Sequence, residues 1–325
     1  MLAKRRALTL GNTELQRTPV LLPSFSSKGF PDIAKIVQTT EEVIDAPILI
    51  SAYDLHYNYN EIVPPFDFPS LIFLDSGGYE SSKDSELSDF GERDYKARPW
   101  TKEMHQAVIA NWRPSVPTVL ISYDHPKERI AVRDQIERAR NLTAGHTDVL
   151  REILLKPETE AQTLLQIDSV LPQVHALADF DVIGVTEKEI GSSIFDRMEN
   201  IAKLRLALDK VGLETPIHVF GSLDAISSPL YFLAGADIFD GLTWLRFAFH
   251  DGYTIYKHNF GALQFGIKAK SHIIDGRTWF SNYRYLAELE LEMRRFLKDY
   301  DFACFQYHSQ LFQQAHDSVV EAVKA

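Results

Sequence analysis

Residues 217–243 read IHVFGSLDAISSPLYFLAGADIFDGLT and contain two short apolar segments separated by a helical pattern. The apolar segments, residues 217–220 and 238–243, are continuous runs of the kind that form strands buried on both faces. Residues 224–234 have the spacing of an amphipathic helix, and Gly235 follows where a helix is expected to stop. This stretch therefore predicts two strands joined by a helix.

The same alternation of apolar strands and helical patterns extends along the rest of the chain. Six further strands are predicted at residues 20–25, 47–55, 70–75, 118–124, 152–156 and 182–185. Further helices are predicted at residues 31–44, 101–111, 128–142, 159–170 and 193–211. Eight apolar strands with intervening helices predict an α/β fold closed into a parallel (β/α)8 barrel, the TIM barrel. Periodicity leaves an open doubly wound sheet as the alternative.

The chain has 325 residues, and a barrel of this type often takes about 250 of them. We therefore predict a single domain, with the barrel at about residues 18–250 and a C-terminal helical extension at about 251–325. Helical patterns at residues 285–299 and 309–323 lie in that extension. Two polar segments, 57–69 and 79–99, interrupt the alternation and are predicted as insertions after strands two and three.

The composition excludes several classes of protein. The single cysteine, Cys304, excludes a disulfide framework within the chain and a zinc site made of several cysteines. The N-terminal residues 1–9 are basic but lack the apolar run of a signal peptide, and no apolar stretch reaches the ~18 residues of a membrane span. We therefore predict a cytoplasmic protein that does not contact membranes.

Charge argues against nucleic-acid binding by the whole surface and in favour of one local segment. The net charge is −11, which disfavours attraction of a polyanion by bulk electrostatics. Residues 242–284, however, hold six basic residues against Asp251 and Asp275, which gives six minus two, or +4. Aromatic residues are interleaved with these basic residues, a combination that suits an extruded nucleotide or a single strand.

Polar residues are concentrated where the predicted strands end. The active site of such a barrel lies at the carboxyl ends of its strands. The predicted strand ends carry Asp54, Asp75, Asp124, Lys156, Glu187, Gly221 and Asp240. Burying several carboxylates in one place costs stability unless they are paired or used in chemistry. For any one aspartate alone, the alternative is an N-cap for the following helix.

Two of these carboxylates have unusual neighbours. Asp75 is followed by Ser76, Gly77 and Gly78, and paired glycines let backbone approach a ligand closely. Asp240 lies within an apolar strand, where a carboxylate is a poor structural choice. Two carboxylates on either side of a sugar carbon can act as nucleophile and general acid/base in glycosidic chemistry. Spacing alone leaves hydrolase, transferase and aldolase-like reactions open.

Several motifs together resemble the tRNA-guanine transglycosylase family, which includes the queuine and archaeosine tRNA-ribosyltransferases. Residues 75–79 match its Asp-Ser-Gly-Gly-aromatic motif, and residues 239–252 resemble its segment with Phe-Asp, a later arginine (Arg246) and a glycine. Residues 17–20 resemble the Thr-Pro-Val stretch that opens its barrel, and residues 218–221 resemble the loop before the nucleophile strand. The resemblance covers about residue 18 to the final helix.

The resemblance implies a role for individual residues. Asp240 would be the nucleophile on C1′ of the target nucleoside, and Asp75 the general acid/base. Tyr79 would stack on the base, Asp124 would accept hydrogen bonds from its Watson–Crick edge, and Gly184 would bring backbone groups to it. The substrate-binding set predicted on this basis is Ser76, Gly77, Gly78, Tyr79, Asp124, Lys156, Gly184, Gly221 and Arg246. The family's further carboxylate in this region corresponds to either Glu187 or Glu189.

The sequence also departs from the family pattern. The family's structural zinc needs three cysteines and a histidine, and this tail has only Cys304, so we predict no metal cofactor. Lys156 stands where the family often has a Gln, and Glu80 where it often has another Gln. The family includes members that insert 7-deazaguanines into DNA rather than tRNA, as in queuosine-type modification. The expected partners are therefore tRNA or DNA and a guanine-like or 7-deazaguanine base, with a homodimer as a further expectation.

These features predict a pentosyltransferase that replaces guanine in a nucleic acid through a covalent intermediate on Asp240. One alternative is a non-catalytic nucleic-acid-binding or accessory subunit of the same fold, which would be expected to lose a catalytic carboxylate. The other is a different barrel glycosidase with two carboxylates, which would not account for residues 75–79. Because both carboxylates and this motif are present, the sequence favours base exchange.

Overall fold

A computed structural model describes residues 1–30, 32–58, 66–82, 95–113, 115–124 and 128–324. An antiparallel hairpin, β1 (Ala7–Leu10) and β2 (Thr13–Arg17), precedes one parallel sheet of eight strands. These strands are β3 (Val20–Pro23), β4 (Ile48–Ser51), β5 (Ile72–Asp75), β6 (Thr118–Ile121), β7 (Leu150–Leu155), β8 (Val182–Thr186), β9 (Ile217–Phe220) and β10 (Ile238–Gly241).

The eight strands close into a barrel. The last strand, β10, pairs in parallel with the first, β3, and Asp240 lies opposite Leu22 in that register. On the other side of β3 the contact with β4 is made by a bridge between Ser24 and Leu49, and the Phe25 amide donates to the Leu49 carbonyl at 2.9 Å. The predicted (β/α)8 barrel is therefore confirmed, and the open-sheet alternative is wrong.

Alternation along each strand decides which side chains face the barrel interior. Successive residues of a strand point to opposite faces. In β3, Val20 and Leu22 belong to the apolar cluster inside the barrel, whereas Leu21 packs in the cluster between strands and helices. Since Phe73 and Ile238 belong to the interior cluster, Asp75 and Asp240, two residues further on, face the interior at the carboxyl end.

Twelve helices are seen in the described residues. They are α1 (Ile33–Thr40), α2 (Ala52–His56), α3 (Gly78–Ser81), α4 (Lys102–Asn111), α5 (Val132–Thr143), α6 (Ile167–Val170), α7 (Ile194–Lys210), α8 (Ser227–Leu233), α9 (Thr243–Arg246), α10 (Lys257–Phe265), α11 (Ser271–Asp299) and α12 (Ser309–Ala322). Two 3-10 helices, Leu171–Asp179 and Phe302–Cys304, complete the set. The Ser193 side chain caps α7 and forms a capping box with Asp196.

Three predicted elements are corrected. The strand predicted at 47–55 ends at Ser51, and Asp54 lies in α2 rather than at a strand end. The helix predicted at 159–170 is reduced to α6, because residues 159–166 form bends and turns in which the Leu165 amide donates to the Glu189 carbonyl at 2.7 Å. The helix predicted at 285–299 is the second half of α11.

The C-terminal extension contacts the barrel directly. A hairpin of β11 (Phe247–His250) and β12 (Tyr253–Tyr256) follows α9 and leads into α10 and α11. Glu290 of α11 accepts from the Leu21 amide of β3 at 2.9 Å. Asn282 donates to the carbonyls of Trp244 and Phe247 at 2.6 and 2.7 Å. Most of the two predicted insertions, residues 59–65 and 83–94, lies outside the described residues.

Candidate active site

Asp240 is held by groups from both neighbouring strands of the barrel. Its Oδ2 accepts a hydrogen bond from the Ser24 hydroxyl at 2.7 Å, and its Oδ1 accepts from the Gly221 amide at 3.0 Å. Gly221 has φ +80°, a conformation that favours glycine, and no neighbour restricts it. The Asp240 side chain is 9% exposed, so it is oriented by the protein and still open to the barrel mouth.

A buried histidine lies one layer below Asp240 inside the barrel. The Nε2 atom of His218 is 3.3 Å from Oδ1 of Asp240, a charge contact rather than a well-aligned hydrogen bond. Its Nδ1 is 2.8 Å from Oε1 of Glu152 on β7, and both side chains are fully buried. Burial opposes protonation of His218, but Glu152 and Asp240 outweigh it and raise the pKa of the imidazole to about 9. The ring is therefore an imidazolium between two carboxylates at neutral pH.

Asp75 sits at the end of β5 in a different environment. Its Oδ2 accepts from the Gly77 amide at 3.1 Å, and its side chain is almost fully buried. Burial raises the pKa of Asp75 to about 8, with further contributions from the carboxyls of Glu80 and Asp240. Asp75 is therefore largely protonated at neutral pH and can donate a proton.

The turn after Asp75 is fixed by close packing. Gly77 has φ +84°, and a Cβ there would lie 2.6 Å from Cβ of Tyr53. The Trp100 indole donates to the Ser76 carbonyl at 2.8 Å. A Cβ at Gly78 would lie 2.9 Å from Oδ2 of Asp124, so the paired glycines bring this turn against the carboxylate of the next strand.

Two further buried acids lie beside Asp75. Glu80 accepts from the hydroxyls of Ser26 and Ser51, the latter at 2.8 Å. Asp54 accepts from the Ser27 amide at 2.7 Å and from the Ser27 hydroxyl. Burial raises the pKa of each carboxyl to about 7, and the two groups repel each other electrostatically. This region of the mouth therefore groups three carboxyls whose pKa values are all raised by burial.

Tyr79 lies between two cations at the rim. Arg246 donates to the Tyr79 hydroxyl at 2.8 Å, and the Lys28 ammonium lies 4.5 Å from the Tyr79 ring centroid. Lys28 also donates to the Tyr79 carbonyl at 2.9 Å. Gly29, at φ +96°, lets the guanidinium of Arg246 approach the backbone. The structure thus brings Arg246, Tyr79 and the loop after β3 together.

Asp124 is part of a ring of four alternating charges. Lys156 lies 3.1 Å from Oδ2 of Asp124 and 2.8 Å from Oε2 of Glu189. Arg129 lies 3.0 Å from Oδ1 of Asp124 and 3.1 Å from Oε1 of Glu189. Burial disfavours the charge on Lys156, but Asp124 and Glu189 overcome it and raise the pKa of the ammonium. Three members of the ring, Asp124, Arg129 and Lys156, line a small cavity of about 20 Å³.

The two candidate glutamates after β8 have different partners. Glu189 belongs to the ring with Lys156, and the Thr186 hydroxyl donates to it. Glu187 instead accepts from the Tyr231 hydroxyl at 2.8 Å and from Arg197 at 3.1 Å. Only Glu189 is therefore joined to Asp124 through shared cations.

Gly184 lies inside the barrel rather than at the open rim. A Cβ at Gly184 would lie 2.6 Å from the Phe220 ring and 2.8 Å from Oε1 of Glu152. The Phe220 ring in turn stacks on His218, with ring centroids 3.9 Å apart. The absence of a side chain at Gly184 thus makes room for Phe220 and Glu152.

Sequence reasoning did not identify four residues that contact the predicted site: Ser24, Arg129, Glu152 and His218. Glu152 carried a usable signal, because Leu150, Glu152 and Leu154 alternate onto one strand face. Arg129 carried none, because its position depends on how the loop before α5 folds.

No family model matches this chain, and no curated protein matches it. Within the described ranges, no three or more His, Cys, Asp or Glu side chains are grouped so that they could hold a metal ion. In the same ranges, no helix is both long and apolar enough to cross a membrane.

Proposed function

We propose that this protein is a base-exchanging pentosyltransferase that acts on guanine in a nucleic acid and uses Asp240 as its nucleophile. The observation that carries the proposal is the contrast between two interior carboxylates. Asp240 accepts hydrogen bonds and faces an imidazolium, whereas Asp75 is buried among other acids with a pKa of about 8. Carboxylates whose environments separate their protonation states are suited to different catalytic roles.

The first half of the reaction uses both groups. An oxygen of Asp240 attacks C1′ as the bond from C1′ to the base nitrogen breaks, and the bonding pair goes to the departing base. Asp75 donates its proton to that base and becomes a carboxylate. The sugar is then linked to Asp240 as an ester.

The second half reverses these steps with another base. Asp75 takes the proton from the ring nitrogen of the incoming base, which attacks C1′ and displaces Asp240 as a carboxylate. Neither water nor a redox partner is consumed. The charged ring around Asp124 supports recognition of a base with both donors and acceptors, because it presents carboxylates and cations together.

A direct test is to incubate the protein with labelled guanine, or a labelled 7-deazaguanine, and either tRNA or duplex DNA. We expect incorporation into one of the two polymers, and a covalent protein–nucleic acid adduct on denaturing gels. Asp240→Ala should abolish both signals. Asp181→Asn is a matched control, because Asp181 accepts from the Arg151 amide at 2.8 Å at the amino-terminal end of β8.

Incorporation that persists in Asp240→Ala would exclude Asp240 as the nucleophile. Release of free guanine without incorporation would instead indicate a glycosidase. Binding of nucleic acid with neither signal would indicate an accessory subunit.

A further inference from the structure

The barrel interior contains a chain of three charged groups that extends from β7 across β9 to β10. Glu152, His218 and Asp240 each face inward, because Leu150, Phe220 and Ile238 on the same strand faces belong to or contact the interior apolar cluster. Register places His218 beside both Gly184 of β8 and Ile238 of β10. The three groups are therefore connected through the space that Gly184 leaves open.

Such a chain is costly unless it has a use. Glu152 and His218 are fully buried, and isolated charges at such positions are strongly disfavoured. Apolar residues surround them, with Phe73 edge-on to the His218 ring at 5.7 Å and Phe220 stacked on it at 3.9 Å. Replacing a buried charged set by apolar residues is often neutral or stabilising, so folding alone gives little reason for an ion triad here.

We propose that His218, held by Glu152, is a positioning residue that orients the Asp240 carboxylate for attack on the sugar. This inference rests on the proposed function. Glu152 accepts from Nδ1 of His218, which fixes the ring and leaves Nε2 directed at Oδ1 of Asp240. The Ser24 hydroxyl binds the other oxygen, Oδ2, so the carboxylate plane is held from two sides.

The same charge acts in both half-reactions. Before attack, the imidazolium lies 3.3 Å from Oδ1 of Asp240 and holds the carboxylate in its orientation. When the sugar ester collapses, Asp240 leaves as a carboxylate, and the imidazolium stabilises the charge that develops on it. His218 transfers no proton in this scheme. Burial raises the pKa of Glu152, and the charge on His218 opposes that rise.

The first experiment measures protonation without any substrate. Protein labelled with ¹⁵N-histidine is titrated by NMR from pH 6 to pH 10, and His218→Gln assigns the signal. We expect both ring nitrogens of His218 to carry protons at pH 7.5, and the imidazolium to be lost at lower pH in Glu152→Gln. A neutral His218 ring at pH 7.5 in the wild-type protein would overturn the proposal.

The second experiment measures adduct formation on Asp240 as a function of pH. In His218→Gln we expect the rate of adduct formation to fall about 10- to 100-fold. The acidic limb of the pH–rate profile should move to higher pH, while KM for the base changes less than twofold. The matched control is Asp237→Asn, which removes a buried partner of Arg6 at the other end of β10. That variant should lose stability without moving the acidic limb.

The outcomes separate the two proposals. A cooperative unfolding transition shows whether His218→Gln is folded. If the folded variant keeps the wild-type rate and the wild-type acidic limb of the pH–rate profile, then His218 does not position Asp240. If no base is exchanged by the wild-type protein, the proposed function fails, yet the NMR titration still decides whether the charged triad exists.

Discussion

Lys156 at the end of β7 donates to Oε2 of Glu189, beyond the end of β8, at 2.8 Å. The same ammonium lies 3.1 Å from Asp124, so one cation joins the two carboxylates. The Lys156, Asp124 and Glu189 side chains are only 9–12% exposed, which makes these contacts stronger than those of surface ion pairs. Lys156 and Arg129 therefore together fix the orientation of the Asp124 carboxylate.

Replacing Lys156 should alter base recognition more than chemistry. In Lys156→Met, the two carboxylates share only the Arg129 cation. We expect KM for the base to change about tenfold with the rate of adduct formation nearly unchanged. The unfolding free energy should fall by roughly 2–3 kcal/mol, because a partly buried ion pair loses one partner. Urea titration measures the stability, and base-concentration series measure KM.

Lys203→Met is the control for this substitution. Lys203 pairs with Glu199 one turn away on the exposed side of α7, so its loss should cost less than about 0.5 kcal/mol. An unchanged KM in Lys156→Met would show that the ring does not contact the base.

Asp75 should make stability depend on pH in a definite direction. Its pKa is about 8 in the folded protein, against an ordinary value of 3.8. Between these values the folded state binds more protons than the unfolded state, so stability falls as pH rises through this window. Between pH 5 and pH 8, the unfolding free energy of Asp75→Asn should therefore fall less than that of the wild type. The two decreases should differ by roughly 1–3 kcal/mol.

Urea unfolding at the two pH values measures this difference. Asp32→Asn serves as the control, because the Asp32 side chain is 71% exposed, and it should follow the wild type. Identical pH dependence in Asp75→Asn and the wild type would contradict the raised pKa. The same ionisation should make base exchange slow above about pH 8 as the proton donor is lost.

Gly78 should tolerate no side chain. A Cβ there would lie 2.9 Å from Oδ2 and 3.1 Å from the carbonyl oxygen of Asp124. We expect Gly78→Ala to cost about 1–3 kcal/mol and to weaken base binding, since Asp124 must move. Gly145→Ala is the matched control, because nothing lies within 4 Å of its added Cβ. Equal stability and KM in both variants would argue against this packing.

Strand periodicity was sufficient to predict the barrel and two of its interior acids. Each strand has a continuous apolar run, and Asp75 and Asp240 interrupt such runs near their carboxyl ends. Asp54 was misplaced because β4 changes into α2 at Ala52, and that change depends on the tertiary contact of Asp54 with Ser27.

The interior ion triad was harder to foresee. The fifth predicted strand was expected to start at residue 152, which would place Glu152 at the barrel entrance. In the structure it starts at Leu150, so Glu152 lies in the middle of the strand and faces His218. An error of two residues in the strand boundary was enough to hide the contact between Glu152 and His218. Such a shift leaves the side chain on the same face of the strand but changes how deeply it is buried.

The basic and aromatic segment at residues 242–284 gives a prediction about nucleic-acid binding. Its cations are not equivalent, because Lys257 is paired with Asp275. Arg277 and Arg284 are exposed and line a cavity of about 580 Å³ beside α11, and Arg277 lies 5.0 Å from the Phe265 ring centroid. These two arginines are therefore better placed than Lys257 to contact phosphates.

In Arg277→Ala/Arg284→Ala we expect affinity for a single-stranded oligonucleotide to fall about tenfold. The slope of log affinity against log salt concentration should become shallower by roughly 1–2, because a protein that makes fewer phosphate contacts releases fewer counterions when it binds. Fluorescence anisotropy at several KCl concentrations measures both quantities. The control, Lys203→Ala/Lys210→Ala on α7, removes the same charge away from this cavity. If both double variants change the slope equally, binding depends on net charge and not on this segment.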